Sequence, residues 1–349
     1  MKMALIADPH FGVKKSSKVF LESQLKFFYE ELIPYLKDNN ISEISFLGDL
    51  FDTRNTLNIY MKKCVFDLFE HFEKEGFTIR IFPGNHDIYF KTTTKIHSLN
   101  FLKKFKNLIV YEDVELLELE NRKLLYVPWQ ISNEDFIKRV ANKNIHCDVC
   151  LGHFDIKGIL MNKTTVSENG LDTKIFHKNY TLTFSGHYHQ RSVTKGRGNE
   201  IVMIGSPYQL TRNDKGEDRG FSVLDLETLK YEFINSTKTI KFIDLKFPEP
   251  FTEELIRGNV VDVTVDYDIG KTDDKRIQTY IQEIEKFDPA YPPNVFINHN
   301  LFAKDDLEYD VKSVAELIKE YIDNLEIENK QAVYEIISEL YTKAKGEQA

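Results

Sequence analysis

Five short apolar runs in the first 190 residues each stop on aspartate, asparagine or histidine, and this repeated ending constrains the fold most. KMALIA runs into Asp8 and His10, ISEISFL into Asp49 and Asp52, and TIRIF, through Pro-Gly, into Asn85, His86 and Asp87. CDVCL runs into His153 and TLTFS into His187 and His189, so five of the ten histidines fall at predicted strand exits. Between these runs lie segments with apolar residues at helical spacing, SSKVFLESQLKFFYEELIPYL, TLNIYMKKCVFDLFEHFEKEG and KIHSLNFLKKF. SNEDFIKRVANKN opens on Ser132 and Asp135 as a capping pair. VELLELENRKLLYVPW predicts a hairpin turning near Asn121, and RGFSVLDLETLKYEF a second. The predicted class is α/β, a mixed β-sandwich with helices outside.

Two prolines in FPEPF suggest a linker, beyond which VVDVTVDY, DDKRIQTYIQEIEKF and NVFINHN predict a small α/β accessory domain. Two amphipathic helices follow, with stripes at Val314, Leu317, Ile318 and Tyr321, and at Val333, Ile336, Ile337 and Leu340. The expected divisions are 1–240, 241–303 and 306–345.

Hydrophobic residues at 42% argue against a disordered chain. No apolar run is long enough to span a membrane, and Met1 leads straight into a strand, so a soluble, unexported, cytoplasmic protein is expected. Cys147 and Cys150 form a CxxC inside an apolar run and read as buried strand residues. A net charge of −9 argues against a general nucleic-acid coat, so any phosphate-bearing substrate must be held locally.

A lone Asp-x-His after a strand can be an ordinary turn. Five exits bearing carboxylate, imidazole and amide together point to hard metal ions, Mn²⁺, Fe or Mg²⁺, rather than a thiolate zinc site. Asp8 and His10, like His187 and His189, are two apart, which in an extended strand would turn both side chains the same way. Two adjacent ions would need a bridging carboxylate, would generate hydroxide and would clamp a phosphoryl group. The other histidines, 71, 97, 146, 177 and 299, read as structural or solvated.

DPH, GDLFD, GNHD, GHF and GHYH, in that order over about residues 1–225, closely resemble the calcineurin-like metallophosphoesterases. The resemblance implies Asp8, His10, Asp49 and His189 around one ion and Asp49, Asn85, His153 and His187 around the other, Asp49 bridging. It also implies that His86 contacts the scissile phosphate and assists the leaving oxygen. Asp52 is expected to orient and charge His86 through its carboxylate.

KMALIADPHFGVK, GSPYQLTRND and the order of domains look like the SbcD-type nuclease subunit of the double-strand-break repair complex, in the compact form encoded by large tailed phages. That likeness implies a Mn²⁺-dependent double-strand exonuclease and single-strand endonuclease working with an SMC-like coiled-coil ATPase, a capping domain, and a homodimer. Cationic loops after the ligand motifs suggest DNA contacts at Lys14, Lys15, Arg54, Lys91, Arg191 and Arg197. The alternatives are a phosphodiesterase or phosphatase for a small or protein substrate, and a DNA-end tether with secondary catalysis.

Overall fold

The computed structural model describes residues 1–90, 92–143, 145–267 and 273–299, with isolated positions 322, 329–331, 333, 334 and 337. The chain divides into two compact units, Met1–His299 and Asn300–Ala349. The expected helical pair at 306–345 and Lys91 lie outside the continuously described residues.

The first sheet contains β1 (Lys2–Ile6), β2 (Glu43–Phe46), β3 (Thr78–Ile81), β4 (Leu108–Val110), β11 (Gly220–Asp225) and β12 (Lys230–Asn235), in the order β12-β11-β1-β2-β3-β4. β1 to β4 are parallel, and the β11–β12 hairpin adds antiparallel to β1. The second sheet has β5 (Glu115–Leu119), β6 (Arg122–Val127), β7 (Cys147–His153), β8 (Tyr180–Gly186), β9 (Ser192–Lys195) and β10 (Glu200–Met203), in the order β5-β6-β7-β8-β10-β9. Its four central strands are parallel and both edges antiparallel.

Alternation along β1 shows how the layers form. Met3, Leu5 and Ala7 face an inter-sheet core with Tyr126, Val149, Leu151 and Phe184. Ala4 and Ile6 face the helices, among Phe20, Phe27, Phe28 and Phe72. The outer face of the second sheet carries a third core, where Cys147 and Cys150 are buried as free thiols beside Phe154 and Phe176. The fold is thus the mixed α/β sandwich expected.

Local chemistry explains several elements. The first long helix is α-helical over Lys18–Lys26, π-helical over Phe27–Leu32 and α-helical again over Ile33–Asp38. Pro34 has no N–H and crowds the carbonyl four residues back, and the wide turn relieves this, with Ile33 N–H reaching Phe28 O. The β5–β6 hairpin turns through Glu120 and Asn121 at φ 51° and 59°, the two left-handed residues such a turn needs.

Two expectations are corrected. KIHSLNFLKKF is a 3₁₀ segment over Ser98–Leu102, not an α-helix, because the Ser98 N–H and hydroxyl are turned back onto Asp87. The prolines of FPEPF do not mark the start of a separate body, since β13 (Phe242–Lys246) precedes them and pairs with β14 (Val260–Tyr267), itself parallel to β15 (Asn294–His299). Phe247 and Phe251 both stack edgewise on Tyr280 of the helix Asp274–Glu285, within a small core around Val261, Val263 and Ile284.

Candidate metal centre

The carboxyl ends of β1, β2 and β3 in one sheet and of β7 and β8 in the other deliver their following residues to one place, as open parallel sheets do with ligand sites. Donor atoms of Asp8, His10 and His189 gather within 4.8 Å of one another, and so do those of Asp49, His153 and His187. Asn85 joins the second group, its Oδ1 lying 2.9 Å from both His153 Nε2 and His187 Nδ1. Every residue expected to ligate a metal is therefore in this cluster.

Asp49 sits between the two groups. Its Oδ1 accepts the His86 N–H at 2.7 Å, while Oδ2 lies 3.2 Å from His153 Nε2 and 3.7 Å from His10 Nε2. His153 Nδ1 is 2.8 Å from the Leu47 carbonyl, which can only accept, so Nδ1 carries a proton and Nε2 faces the cluster, where its lone pair becomes free once the ring is neutral. Gly84 makes this possible, because a Cβ there would stand 2.2 Å from Asp49 Oδ1.

The side chains are not presented by extended strand. β1 ends at Ile6 and β8 at Gly186, and Asp8, His10, Asp49 and His187 have φ of 52°, 47°, 50° and 91°. The same-side expectation from strand alternation is corrected accordingly. Four non-glycine residues in this sparsely populated region store backbone strain that the neighbouring hydrogen bonds must hold. Gln24, nearly fully buried, donates to Pro9 O and His10 O at 2.9 and 3.1 Å, and Tyr208 donates its hydroxyl to Pro9 O at 2.6 Å. Both Asp8 oxygens accept the His187 N–H.

Electrostatics follow from burial at close quarters. Burial and the nearby Asp49 push the Asp8 carboxyl up to about 8. Burial also opposes charge on Asp49, yet His153 and His10 hold it below the usual carboxylate range. For His153 burial works against the proton, but Asp49 outweighs it and lifts the ring to about 9. Burial depresses His187 to about 3 and His189 to about 4, and takes His10 well below the ordinary imidazole value.

The donor set fits divalent cations. His10 and His189 point Nε2 at each other across 2.9 Å, and His10 Nδ1 is buried with no hydrogen-bond partner. Convergent imidazoles, carboxylates and an amide oxygen suit a hard or borderline cation, which would take the place of protons at the facing nitrogens and oxygens.

Asp52 departs from expectation. It is the main-chain carbonyl, not the carboxylate, that meets His86 Nδ1, at 2.6 Å. Asp52 N–H is held by Phe11 O, which fixes this peptide, and the Asp52 carboxylate lies 3.6 Å from His10 Nδ1 instead. Burial raises the Asp52 pKa.

Asp87 supports the site without joining the donor groups. Its carboxylate accepts N–H groups from Leu50, Phe51 and Gly84 at 3.2, 3.1 and 3.0 Å, and the Ser98 hydroxyl at 3.2 Å. It thereby ties the loop after β2 to the loop after β3. Asp87→Ala should leave three buried N–H groups unpaired at about 1 kcal/mol each, lowering the melting temperature by roughly 6–12 °C. A calorimetric shift under about 2 °C would contradict this clamp.

The expected DNA-contact residues differ in surroundings. Lys14, Lys15 and Arg197 are exposed and Arg54 is half-buried. Lys14, Lys15 and Ser16 form a left-handed turn with φ of 55°, 58° and 58°. Arg191 does not extend freely: its guanidinium lies 4.2 Å from the Phe233 ring centre and donates to Asn235 at 2.7 Å. Trp129, the one tryptophan of the chain, was missed; its ring centre lies 5.0 Å from that of His187 and 5.8 Å from that of His153. Its place directly after β6 was the available signal.

Residues 1–191 match the family described as calcineurin-like phosphoesterase. The chain is 26% identical over 356 residues to a protein named exonuclease subunit 1 of Enterobacteria phage T4, covering 99% of each. Solved structures with some likeness include an archaeal phosphodiesterase, at TM-score 0.37 and 14% identity, covering 68% of this chain and 100% of that one. Another is a protein of Thermus thermophilus, at 0.40 and 13%, covering 67% and 98%. No helix among the described residues is long and apolar enough to cross a membrane. The family match spans more than half of the 349 residues and contains every member of the cluster, so the chain belongs to the calcineurin-like phosphoesterases.

Proposed function

We propose that the chain is a Mn²⁺-dependent DNA nuclease, a double-strand exonuclease and single-strand endonuclease of the SbcD type, and the catalytic subunit of an SMC-like ATPase–nuclease complex in recombination and repair. The observation that carries this reading is the pair of donor groups joined at Asp49. The full-length likeness to a protein named as an exonuclease subunit favours DNA as the substrate.

Asp8, His10, Asp49 and His189 would hold one cation and Asp49, Asn85, His153 and His187 the other, with Mn²⁺ preferred over Mg²⁺ or Fe. When bound, such a pair acidifies a water nucleophile and offsets charge on the phosphoryl oxygens. His86 supplies the proton. Its Nδ1–H is held by the Asp52 carbonyl, so the proton for the leaving 3′ oxygen comes from Nε2 of the imidazolium, and the ring returns to the tautomer the carbonyl holds. The Asp52 carboxylate lies within 4.8 Å of ring nitrogens of both His10 and His86, so it would favour charge on His86 without hydrogen-bonding to it.

Lys14, Lys15, Arg54 and Lys91 would meet backbone phosphates, whereas Arg197, expected among them, sits in the β9–β10 turn at the amino ends of β7 and β8, opposite the ends that form the cluster, and Arg191 is held against Phe233. Residues 241–303 would cap the site, 306–345 would dock the ATPase coiled coil, and two copies would pair in the host cytoplasm. Linear duplex DNA incubated with Mn²⁺, with and without the ATPase, tests the reading. Cleavage is expected, and removal of residues after Asp306 should abolish ATPase co-purification. Vigorous phosphomonoester hydrolysis without DNA cleavage would overturn it.

Metal loading should release protons. Without cations at pH 7, Asp8 at about 8 and His153 at about 9 are largely protonated, and both must lose the proton to ligate. Affinity should therefore rise with pH through 7 to 9 and level off above. Titration calorimetry at pH 7 in buffers of different ionisation enthalpy should show between one and two protons released. Buffer-independent heats would contradict the assignment.

A further inference from the structure

A cavity of about 360 Å³ opens beside the metal cluster, within the size range of small-ligand sites. Trp129 and His153 belong to both: the indole packs on the rings of His153 and His187 and also walls the cavity. Phe136, Phe154 and Leu171, all buried, make an apolar floor, and Ile131, 40% exposed, stands at the lip.

The carboxylates of Glu134 and Asp155 in the lining disfavour a second phosphate there. The Asp155 carboxylate is occupied by the hydroxyls of Ser167 and Tyr188. The Gln130 amide is tied at both ends, donating to Pro128 O at 2.7 Å and accepting from Arg139 at 3.1 Å. What remains is an aromatic-walled slot whose rim carries Ser132, Asn133 and the exposed Glu134 carboxylate, a set that can pair with the polar edge of a ring. Such a slot favours a flat, weakly polar ring.

We propose that this cavity binds the nucleobase adjoining the scissile phosphate, so that the nucleotide is unstacked from its neighbours while its phosphate lies on the cluster. The proposal rests on the nuclease reading above. Stacking of an unpaired base on an aromatic wall is tolerant of sequence, which suits a nuclease that must degrade any strand.

The test is steady-state cleavage of a short oligonucleotide with Mn²⁺, each nucleotide flanking the scissile bond being replaced in turn by an abasic residue. One of the two replacements should raise KM by roughly 10- to 100-fold. Trp129→Ala should raise KM similarly on the intact strand, and the two losses should not add when combined. Trp129→Phe, which keeps a ring, should stay within about threefold of the parent protein. Equal proportional losses for Trp129→Ala on intact and abasic strands would mean that Trp129 only supports His153 and His187, and would overturn the subsite. So would the absence of any loss. If the unaltered protein cleaved no oligonucleotide at all, the nuclease reading itself would fail, which is a separate outcome.

Discussion

Asp49→Asn should lower phosphodiester cleavage by at least roughly 10³-fold and reduce bound Mn²⁺ from two ions per chain to one or none. The size of the effect follows from position. Among the described residues Asp49 Oδ2 is the one carboxylate oxygen within 4 Å of both His10 and His153, so both donor groups would lose their shared member at once. Asparagine keeps the shape, and its Oδ1 can still accept the His86 N–H, so the fold should survive. Metal analysis after dialysis, with thermal melting as the check on folding, measures this. Two retained ions together with near-normal activity would remove Asp49 from the bridging role.

His86→Ala should behave differently, losing roughly 10²- to 10⁴-fold in kcat on DNA while retaining both ions. His86 reaches Asp49 only through its main-chain N–H, which alanine preserves, whereas its ring is held by the Asp52 carbonyl. The loss should depend on the leaving group. Bis-p-nitrophenyl phosphate releases a phenolate that needs no proton, so its hydrolysis should fall much less than DNA cleavage. Equal losses on both substrates, or loss of an ion, would contradict the acid role.

Much of the site was legible in the sequence because a buried parallel strand reads as an apolar run and the residues of the cluster follow at its end as carboxylate, amide or imidazole side chains. Asp8, Asp49, Asn85, His153 and His187 could be found that way. What the sequence hid is backbone. The left-handed conformations of Asp8, His10, Asp49 and His187 leave no mark in side-chain identity, so strand alternation gave a wrong picture of how they converge. The support of His86 was likewise assigned to the Asp52 carboxylate, when any residue at 52 would offer the same carbonyl. Asp87 was visible as a residue, but its job lies in three N–H groups from two loops that meet only in the fold. The prolines of FPEPF read as a boundary because they interrupt periodicity, yet Phe247 and Phe251 beside them pack on Tyr280.

The central claim is that strand exits from two sheets build one two-ion centre about Asp49. Anomalous diffraction from Mn²⁺-loaded crystals at the manganese edge tests it most directly. Two peaks roughly 3.5–4 Å apart, both touching Asp49, with His10 and His189 on one and His153 and His187 on the other, are expected. A single peak, or two that do not share Asp49, would contradict it.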